Sequence, residues 1–241
     1  MEIKAATARL TGYRHQQDGT TCQDWVRYKM QDGIGVLSLC DGAGSCAHAE
    51  EAAFRISEWV ISYVAEHFEE LYEDFSQDRR ISLVEEGQRN LAEAGSPLRE
   101  YGCTLLFFAA AEDGRWICGH IGDGVMFMTD ENGTEVLSKP ENGLYKNETF
   151  FLSGADATEH LRIRTGKAET DTAVLLSSDG CQDALYNWDL KQAAPAVTRI
   201  NRWLDKYGEK EVEELLLENL ADRFQKISED DLSIGLLYMK V

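Results

Sequence analysis

Aspartate residues mark the ends of the most apolar segments of this chain. Three of them follow apolar, strand-like runs: Asp41 in VLSLCDGAG, Asp123 in ICGHIGDGV and Asp179 in AVLLSSDGCQD. Two more, Asp230 and Asp231, precede the terminal run LSIGLLYM. Strand ends in a sheet core are held rigidly, and a glycine beside a carboxylate lets the backbone come close to whatever that carboxylate binds. These residue types and positions indicate that the carboxylates share a ligand.

The ligand that these aspartates predict is a divalent cation. Several rigid carboxylates with few basic residues near them repel one another, and a cation among them removes that repulsion. Ligand sets made only of oxygen suit the hard ions Mg²⁺ and Mn²⁺ better than they suit zinc. We therefore expect a carboxylate site for Mg²⁺ or Mn²⁺.

The charge and composition of the chain limit the classes of function. Its 241 residues carry a formal net charge of −19, which argues against binding to a nucleic-acid backbone. No apolar run is as long as a membrane helix, and the segment MEIKAATARL lacks the core of a signal peptide. The 6 cysteines form no CxxC pair, so we interpret them as reduced packing residues. We expect a cytoplasmic protein with no nucleic-acid or membrane partner.

The spacing of apolar residues predicts strands at both ends and in the middle of the chain, with pairs of helices between them. Strands are predicted over roughly 2–10, 24–30 and 34–40, in a β meander over about 104–140, and in FFLSG, LRIRTG, TAVLLSSD and LSIGLLYMKV. Helices are predicted after the small-residue segment GAGSCAHAEEAA, over roughly 77–94, and twice in 188–226 with a break near 206–208.

This order of elements predicts the fold class. Strands and helix pairs come in blocks, whereas a doubly wound sheet would need strictly alternating strands and helices. Each amphipathic helix pair must also cover one face of a sheet. We therefore predict a single α+β domain over residues 1–241, a four-layer αββα sandwich in which two antiparallel sheets are flanked by helix pairs.

Six segments of the chain occur in a recognisable series: CQDWV, SLCDGAGS, GCTLLFFAA, CGHIGDGVMFM, LLSSDGCQDAL and SEDDLSIGLL. In this order they resemble the metal-dependent protein phosphatase family, the type 2C serine/threonine phosphatases, in its bacterial form. They correspond to the early acidic motif, the DGHGG or DGMGG motif, the small-Thr strand, the GDSR hairpin, the SDGLWD motif and the terminal DN strand. One Asp-Gly pair is a weak signal, but six segments in order over nearly the whole chain are specific.

The resemblance implies roles for five of the residues in these segments. By position, Asp41 would bridge two metal ions, and the carbonyl of Gly42 would complete the coordination of one of them. Asp179 and Asp230 would bind the other ion. Asp24 would not contact the metal itself but would hold a water molecule that is bound to it. Asp24, Asp41 and Asp179 are accordingly the catalytic residues that the resemblance implies.

Asp123 has two interpretations. By position it resembles the aspartate that binds an accessory third metal in this family. An ordinary turn is the competing interpretation, because Asp-Gly is the commonest hairpin pair and GDG would join two strands of the predicted meander. The sequence leaves both open.

Three positions near the metal motifs depart from the family pattern. Gln23 stands where a Glu usually precedes the early aspartate, and a neutral amide oxygen is a poorer metal ligand. Ala43 replaces the His of DGHGG, which removes one candidate general acid. The terminal pair is also Asp230-Asp231 instead of Asp-Asn, and the alignment with the following Ser233 favours Asp230 as the ligand.

The phosphate-binding Arg of the family has no clear equivalent in this chain. Arg14 and His15 lie in the corresponding loop at a different spacing, and they are the candidates for contact with a substrate phosphate. His15 could also assist proton transfer, or it could have a structural role only.

These observations predict a metal-dependent protein-serine/threonine phosphatase. Two Mn²⁺ or Mg²⁺ ions would activate a water molecule and neutralise the phosphate charge during in-line attack. The substrates would be phosphoproteins, those of a Ser/Thr kinase, and we expect a monomer. Two alternatives stay open: a phosphatase for small phosphoesters, and a non-catalytic regulatory or binding module. Gln23, Ala43 and the missing Arg favour the module, whereas four mutually repelling aspartates oppose it.

Overall fold

Antiparallel strands dominate the computed structural model, which describes residues 1–74, 76–143 and 149–241. In chain order the strands are β1 (Glu2–Leu10), β2 (Trp25–Gln31), β3 (Ile34–Cys40), β4 (Leu105–Ala111), β5 (Arg115–Ile121), β6 (Val125–Asp130), β7 (Gly133–Ser138), β8 (Arg162–Lys167), β9 (Thr172–Ser177), β10 (Tyr186–Asn187), β11 (Gln192–Ala193) and β12 (Leu232–Lys240).

The helices lie between these blocks of strands. They are α1 (Tyr13–Asp18), α2 (Ala49–Glu66), α3 (Phe68–Glu73), α4 (Gln77–Ala92), α5 (Ala157–His160), α6 (Gln182–Leu185), α7 (Pro195–Asn201), α8 (Trp203–Lys206) and α9 (Glu209–Asp222). Short 3₁₀ turns cover Leu98–Glu100, Asp179–Cys181 and Phe224–Lys226.

The strands of the described residues form two five-stranded sheets, apart from the small β10–β11 hairpin. Sheet I has the order β1-β12-β9-β6-β7, and sheet II has the order β2-β3-β4-β5-β8. All neighbouring strands are antiparallel. The first and last strands of the chain therefore lie side by side in sheet I.

Strand β4 shows why the chain forms four layers. Successive side chains of a strand point to opposite faces, so a strand that is apolar throughout can be buried on both. Leu105 and Phe107 pack in the core beneath the helices, whereas Leu106 and Phe108 pack in the core between the two sheets. All four are fully buried.

Helix pairs cover the outer face of each sheet. Helix α2 buries Ala52, Ile56, Val60 and Val64, spaced four residues apart along one face of the helix, and together with α4 it covers sheet II. Helices α7 and α9 bury Val197, Val212, Leu216 and Leu220 against sheet I. The predicted αββα sandwich is confirmed. None of the helices in the described ranges has the length and apolarity that a bilayer crossing requires.

The predicted meander over 104–140 is wrong as a single unit. Strands β4 and β5 pair in sheet II, but β6 and β7 pair with each other in sheet I. The chain therefore crosses from one sheet to the other at Gly122–Gly124. Periodicity identifies a segment as a strand but does not indicate which sheet it joins, so the sequence does not reveal this crossing.

Two further segments differ from prediction. FFLSG, residues 150–154, contains a turn instead of a strand, and its apolar character reflects the full burial of Leu152 in the core beneath the helices. Residues 188–194 are not helical but contain part of the β10–β11 hairpin; α7 begins at Pro195, as the fixed φ angle of proline favours. The break predicted near 206–208 is confirmed by the end of α8 and the start of α9.

The core between the sheets gives a test of this architecture. Phe108→Ala should lower the free energy of unfolding by about 3–5 kcal/mol, because it leaves a cavity between two closely packed sheets. Leu190→Ala, at a side chain that is 65% exposed, should change it by less than about 0.5 kcal/mol. Urea denaturation of both variants measures the difference, and equal losses would contradict the assigned core.

Candidate metal centre

The predicted aspartates lie at one shared end of the two sheets. Asp41 follows β3 and Asp123 follows β5, both strands of sheet II. Asp179 follows β9 and Asp230 precedes β12, which are antiparallel neighbours in sheet I. The end of one antiparallel strand and the start of its neighbour meet at the same edge of a sheet. All four residues line a cavity of about 650 Å³.

Three of these residues form a tight group, here called the aspartate cluster: Asp41, Asp123 and Asp179. Each contributes one carboxylate oxygen, and these oxygens all lie within 4.8 Å of one another. The turn interpretation of Asp123 is wrong, because the strands on either side of it belong to different sheets and do not pair. A group of carboxylate oxygens at this spacing fits a hard divalent cation such as Mg²⁺ or Mn²⁺.

Burial and mutual repulsion raise the pKa values of the clustered carboxyl groups. The pKa of Asp41 lies well above its usual range, because burial disfavours the anion and because the charges of Asp24 and Asp179 add to that effect. For Asp179, burial and then the charges of Asp123 and Asp230 raise the pKa to about 8. The pKa of Asp123 is raised as well, chiefly by burial. A cation is what such a group requires in order to be ionised at neutral pH.

Asp24 lies close to the cluster but does not line the cavity. Its side chain is only 1% exposed, and burial raises its pKa to about 7. One carboxylate oxygen, Oδ2, accepts a hydrogen bond of 2.7 Å from the hydroxyl of Ser233. The other, Oδ1, is buried and has no partner among the described residues. Because a buried oxygen without a partner is costly, this arrangement fits the predicted contact with a bound water.

The two terminal aspartates have different surroundings. Asp231 is 3% exposed; its Oδ1 accepts a bond of 2.7 Å from the amide of Gly12, and its Oδ2 accepts one of 2.6 Å from the amide of Gln23. Oδ2 also lies 2.9 Å from Nδ1 of His15. Asp231 therefore holds in place the N-terminal loop, by which we mean residues 11–24 between β1 and β2, including the short helix α1. Asp230 is exposed at the cavity, and its charge contributes to the raised pKa values of all three clustered residues, which favours Asp230 as the metal ligand of this pair.

The backbone around Asp41 is held from two directions. Its amide donates a hydrogen bond of 2.9 Å to the hydroxyl of Thr104, and its carbonyl accepts one of 2.9 Å from the Thr104 amide. The next residue, Gly42, lies so close to the carbonyl of Ala49 that a Cβ atom would be 2.5 Å from that oxygen. Glycine at this position is therefore a steric requirement of the site, beyond any role of its carbonyl as a ligand.

One supporting residue was missed by the sequence analysis. Gln182, buried in the first turn after Asp179, donates a side-chain hydrogen bond to the carbonyl of Asp123 and so links the two aspartates across the sheets. Its only signal in the sequence is its position three residues after a metal-site aspartate. A glutamine there could equally be an ordinary helix residue, so the contact could not have been predicted.

The residues that depart from the family pattern also line the cavity. Gln23 and Ala43 both lie at its wall, and the Oε1 atom of Gln23 is buried without a partner among the described residues. Arg14 is exposed at the rim, and His15 lies beside it. The structure thus brings every predicted site residue except Asp24 to a single cavity, with Asp24 behind its wall. The individual roles assigned to these residues remain predictions.

Comparison with known proteins agrees with this geometry. A family model for protein phosphatase 2C matches residues 11–221, which is most of the chain. The chain belongs to the protein phosphatase 2C family. No curated protein gives a significant sequence match.

Solved structures of other phosphatases share the fold of this protein phosphatase 2C chain. The S. agalactiae serine/threonine phosphatase superposes with a TM-score of 0.71 at 17% identity, over 99% of this chain and 100% of the other. Serine/threonine phosphatase Stp1 from Staphylococcus aureus gives 0.67 at 16% identity, over 100% and 96%. RsbX in complex with magnesium gives 0.64 at 16% identity, over 99% and 96%. At these identities the similarity is one of fold.

The raised pKa values predict how stability depends on pH without metal. A carboxyl group whose pKa is higher in the folded state binds protons on folding, so its contribution is complete below the unfolded pKa, about 4, and is lost as the pH rises through the folded value. With a folded pKa of about 8 for Asp179, the Tm in EDTA should fall between about pH 4 and pH 8. Each kcal/mol lost corresponds to about 2–4 °C for a chain of this size.

Thermal melts in EDTA and in millimolar Mn²⁺ measure this effect. The upward shift in Tm caused by Mn²⁺ should be larger at pH 8 than at pH 5, because the cation replaces the lost protons. Asp179→Asn should flatten the pH dependence in EDTA. Asp189→Asn, which removes one exposed carboxylate elsewhere, controls for net charge and should not flatten it. A Tm in EDTA that does not vary over this pH range would contradict the burial of ionisable carboxylates.

Proposed function

We propose that this protein hydrolyses phosphoserine and phosphothreonine residues in proteins at a centre of Mn²⁺ or Mg²⁺ ions. The observation that supports this most directly is the aspartate cluster, whose carboxylate oxygens lie within 4.8 Å of one another in an open cavity. Membership in the protein phosphatase 2C family supports the reaction class. The S. agalactiae enzyme and Stp1, which share the fold, are serine/threonine phosphatases, and this supports the choice of phosphorylated residue.

On this proposal the chain would supply ligands for two cations and a place for a third. Asp41 would bind both of the two ions. The carbonyl of Gly42 would be a further ligand of the first ion, and Asp179 and Asp230 would be ligands of the second. Asp123 would bind the accessory ion. Cations held in this way lower the pKa of water and neutralise charge on the phosphate oxygens. Mg²⁺ usually keeps several waters and takes few protein carboxylates, which suits a site with room for substrate.

Other residues would position the reactants. The free Oδ1 atom of Asp24 is available to accept a hydrogen bond from the attacking water. Arg14 is exposed on the cavity rim, where its guanidinium can reach a phosphate as the ester enters. The substrates on this proposal are phosphoproteins produced by a Ser/Thr kinase, and the protein acts on them as a monomer.

The non-catalytic alternative predicts different behaviour. A binding module gains nothing from buried carboxylates that repel one another, because each costs stability when it ionises without a cation. Three features favour the module: the usual Glu is replaced by Gln23, the usual His is replaced by Ala43, and the phosphate-binding Arg has no clear equivalent. Activity towards a phosphothreonine peptide and towards p-nitrophenyl phosphate distinguishes the three candidates: a protein phosphatase hydrolyses both, a small-phosphoester phosphatase only the second, and a module neither.

Asp179→Asn tests the assignment of the centre. The amide cannot supply the negative oxygen that a hard cation prefers. Replacing a residue that only hydrogen-bonds to a metal ligand already lowers activity by about 10–100-fold, so loss of a ligand should lower Mn²⁺-stimulated hydrolysis of the phosphothreonine peptide by more than about 100-fold. The fold should be retained, which far-UV circular dichroism would check. Asp189→Asn, at an exposed position outside the cavity, should keep full activity. Full activity of Asp179→Asn would remove this residue from the proposed centre.

Gln23→Glu tests whether the replaced position weakens one metal. If the second ion lacks a charged ligand here, calorimetry of the wild type should resolve a tight and a weak Mn²⁺ step. The added carboxylate should tighten the weak step by about tenfold, equivalent to about 1.4 kcal/mol, and leave the tight step unchanged. Gln17→Glu adds the same charge at an exposed position outside the cavity and should alter neither step. A Gln23→Glu variant that matches the wild type would show that position 23 does not contact metal.

A further inference from the structure

His15 is held in a fixed orientation at the edge of the cavity. It lies in the short helix α1, and its ring nitrogen Nδ1 is 2.9 Å from Oδ2 of Asp231. Asp231 is itself immobilised, because the backbone amides of Gly12 and Gln23 donate to its two oxygens. A carboxylate fixed in this way determines the orientation of the imidazole and which of its nitrogens carries a proton. Nδ1 is therefore the donor to Asp231.

The other ring nitrogen of His15 is available to a substrate. Nε2 has no hydrogen-bond partner among the described residues, and the side chain is 20% exposed. His15 lines the same cavity as the aspartate cluster, on the side formed by α1 and the loop before β12. Of the described residues that line this cavity, only Arg14 and His15 have basic side chains. Arg14 does not release its proton at neutral pH, so His15 alone of these two can give one up.

We propose that His15 is the proton donor to the departing seryl or threonyl oxygen, with Asp231 as the residue that positions it. This inference rests on the proposed phosphatase function and adds a catalytic residue to it. To donate from Nε2, the ring must carry protons on both nitrogens, and the carboxylate of Asp231 accepts the one on Nδ1. Asp231 is thus a positioning residue, since it acts through the imidazole.

The step balances as a simple ester hydrolysis. The oxygen of water forms a bond to phosphorus while the bond from phosphorus to the ester oxygen breaks. Nε2 of His15 gives its proton to the ester oxygen, which leaves as a neutral hydroxyl group. The proton lost by the attacking water passes to solvent, and solvent returns one to Nε2. Phosphate and a free seryl or threonyl hydroxyl are the products.

The competing role for His15 is binding of the substrate phosphate, and the leaving group separates the two. A serine or threonine alkoxide is a poor leaving group that needs a proton as it departs, whereas p-nitrophenolate is stable without one. A proton donor therefore matters for the phosphopeptide and hardly at all for p-nitrophenyl phosphate. A phosphate-binding residue matters equally for both, because both present the same phosphate.

His15→Asn is the variant to compare, since its side-chain amide can still donate to Asp231 but has no atom in the place of Nε2. We expect kcat for a phosphothreonine peptide to fall by about 100-fold, with KM nearly unchanged, while kcat for p-nitrophenyl phosphate stays close to the wild-type value. His67→Asn is the matched control: Nδ1 of His67 bonds to the carbonyl of Tyr63 in its own helical segment, away from the cavity, so both activities should be retained.

The outcomes separate this inference from the proposed function. Equal losses on the two substrates, or a rise in KM for both, would overturn proton donation and assign His15 to phosphate binding or to structure. No loss on either substrate would overturn it as well. If the wild-type protein hydrolysed neither substrate, the proposed function itself would fail, and the inference with it.

The part played by Asp231 is tested by a double variant. If Asp231 acts through the imidazole, Asp231→Asn should lower kcat for the phosphopeptide selectively, and His15→Asn/Asp231→Asn should be no slower than His15→Asn. If Asp231 instead acts by bracing Gly12 and Gln23, its replacement should slow both substrates and add to the effect of His15→Asn. The second result would contradict the positioning role.

Discussion

Repulsion between carboxylates that the backbone cannot move apart is the constraint on which this structure depends. Asp41, Asp123 and Asp179 come from both sheets, and their oxygens lie within 4.8 Å. A flexible chain would relieve such repulsion by moving, but here each residue adjoins a strand buried in the core. The cost appears as raised pKa values, chiefly from burial. A folded protein retains such an arrangement where a cation returns more free energy than the repulsion costs.

The packing of the two sheets supplies the rigidity that this arrangement needs. The core between them, which includes Phe108, Leu106 and Leu237, fixes how far apart the two sets of strand ends lie. Close-packed interiors resist small displacements, so the spacing of the aspartates follows from the packing several residues away. At the site itself the two sheets are also linked by a hydrogen bond, which the side-chain amide of Gln182 donates to the carbonyl of Asp123.

The segment after the first strand and the segment before the last strand meet at the same cavity. Strand β12 pairs with β1. Residues just before and at the start of β12 also hydrogen-bond to the N-terminal loop: the carboxylate of Asp231 accepts hydrogen bonds from the amides of Gly12 and Gln23, and the hydroxyl of Ser233 donates one to Asp24. These hydrogen bonds join residues more than 200 positions apart in sequence. Helix α1, which carries Arg14 and His15, therefore reaches its position only when the last strand is in place.

The sequence by itself determined the candidate site residues and most of the elements that present them. A short, continuous apolar run indicates a buried strand such as β4, and an aspartate next to a glycine at a strand end is a local signal. Four layers followed from two helix pairs that must each cover a sheet. The candidate aspartates were all visible in the motifs, whereas Arg14 and His15 lie outside them and the contact of Gln182 carried no signal.

Tertiary structure alone decided where each of those residues lies and which groups it contacts. Asp230 and Asp231 are identical neighbours in the sequence, yet one is exposed at the cavity and the other braces the loop, because the path of the chain into β12 turns them in different directions. Asp123 could have been a turn residue, since a short segment between two strands can form either a hairpin turn or a crossing between sheets. Pairing between strands is a long-range property, and local periodicity carries no information about which sheet a strand will join.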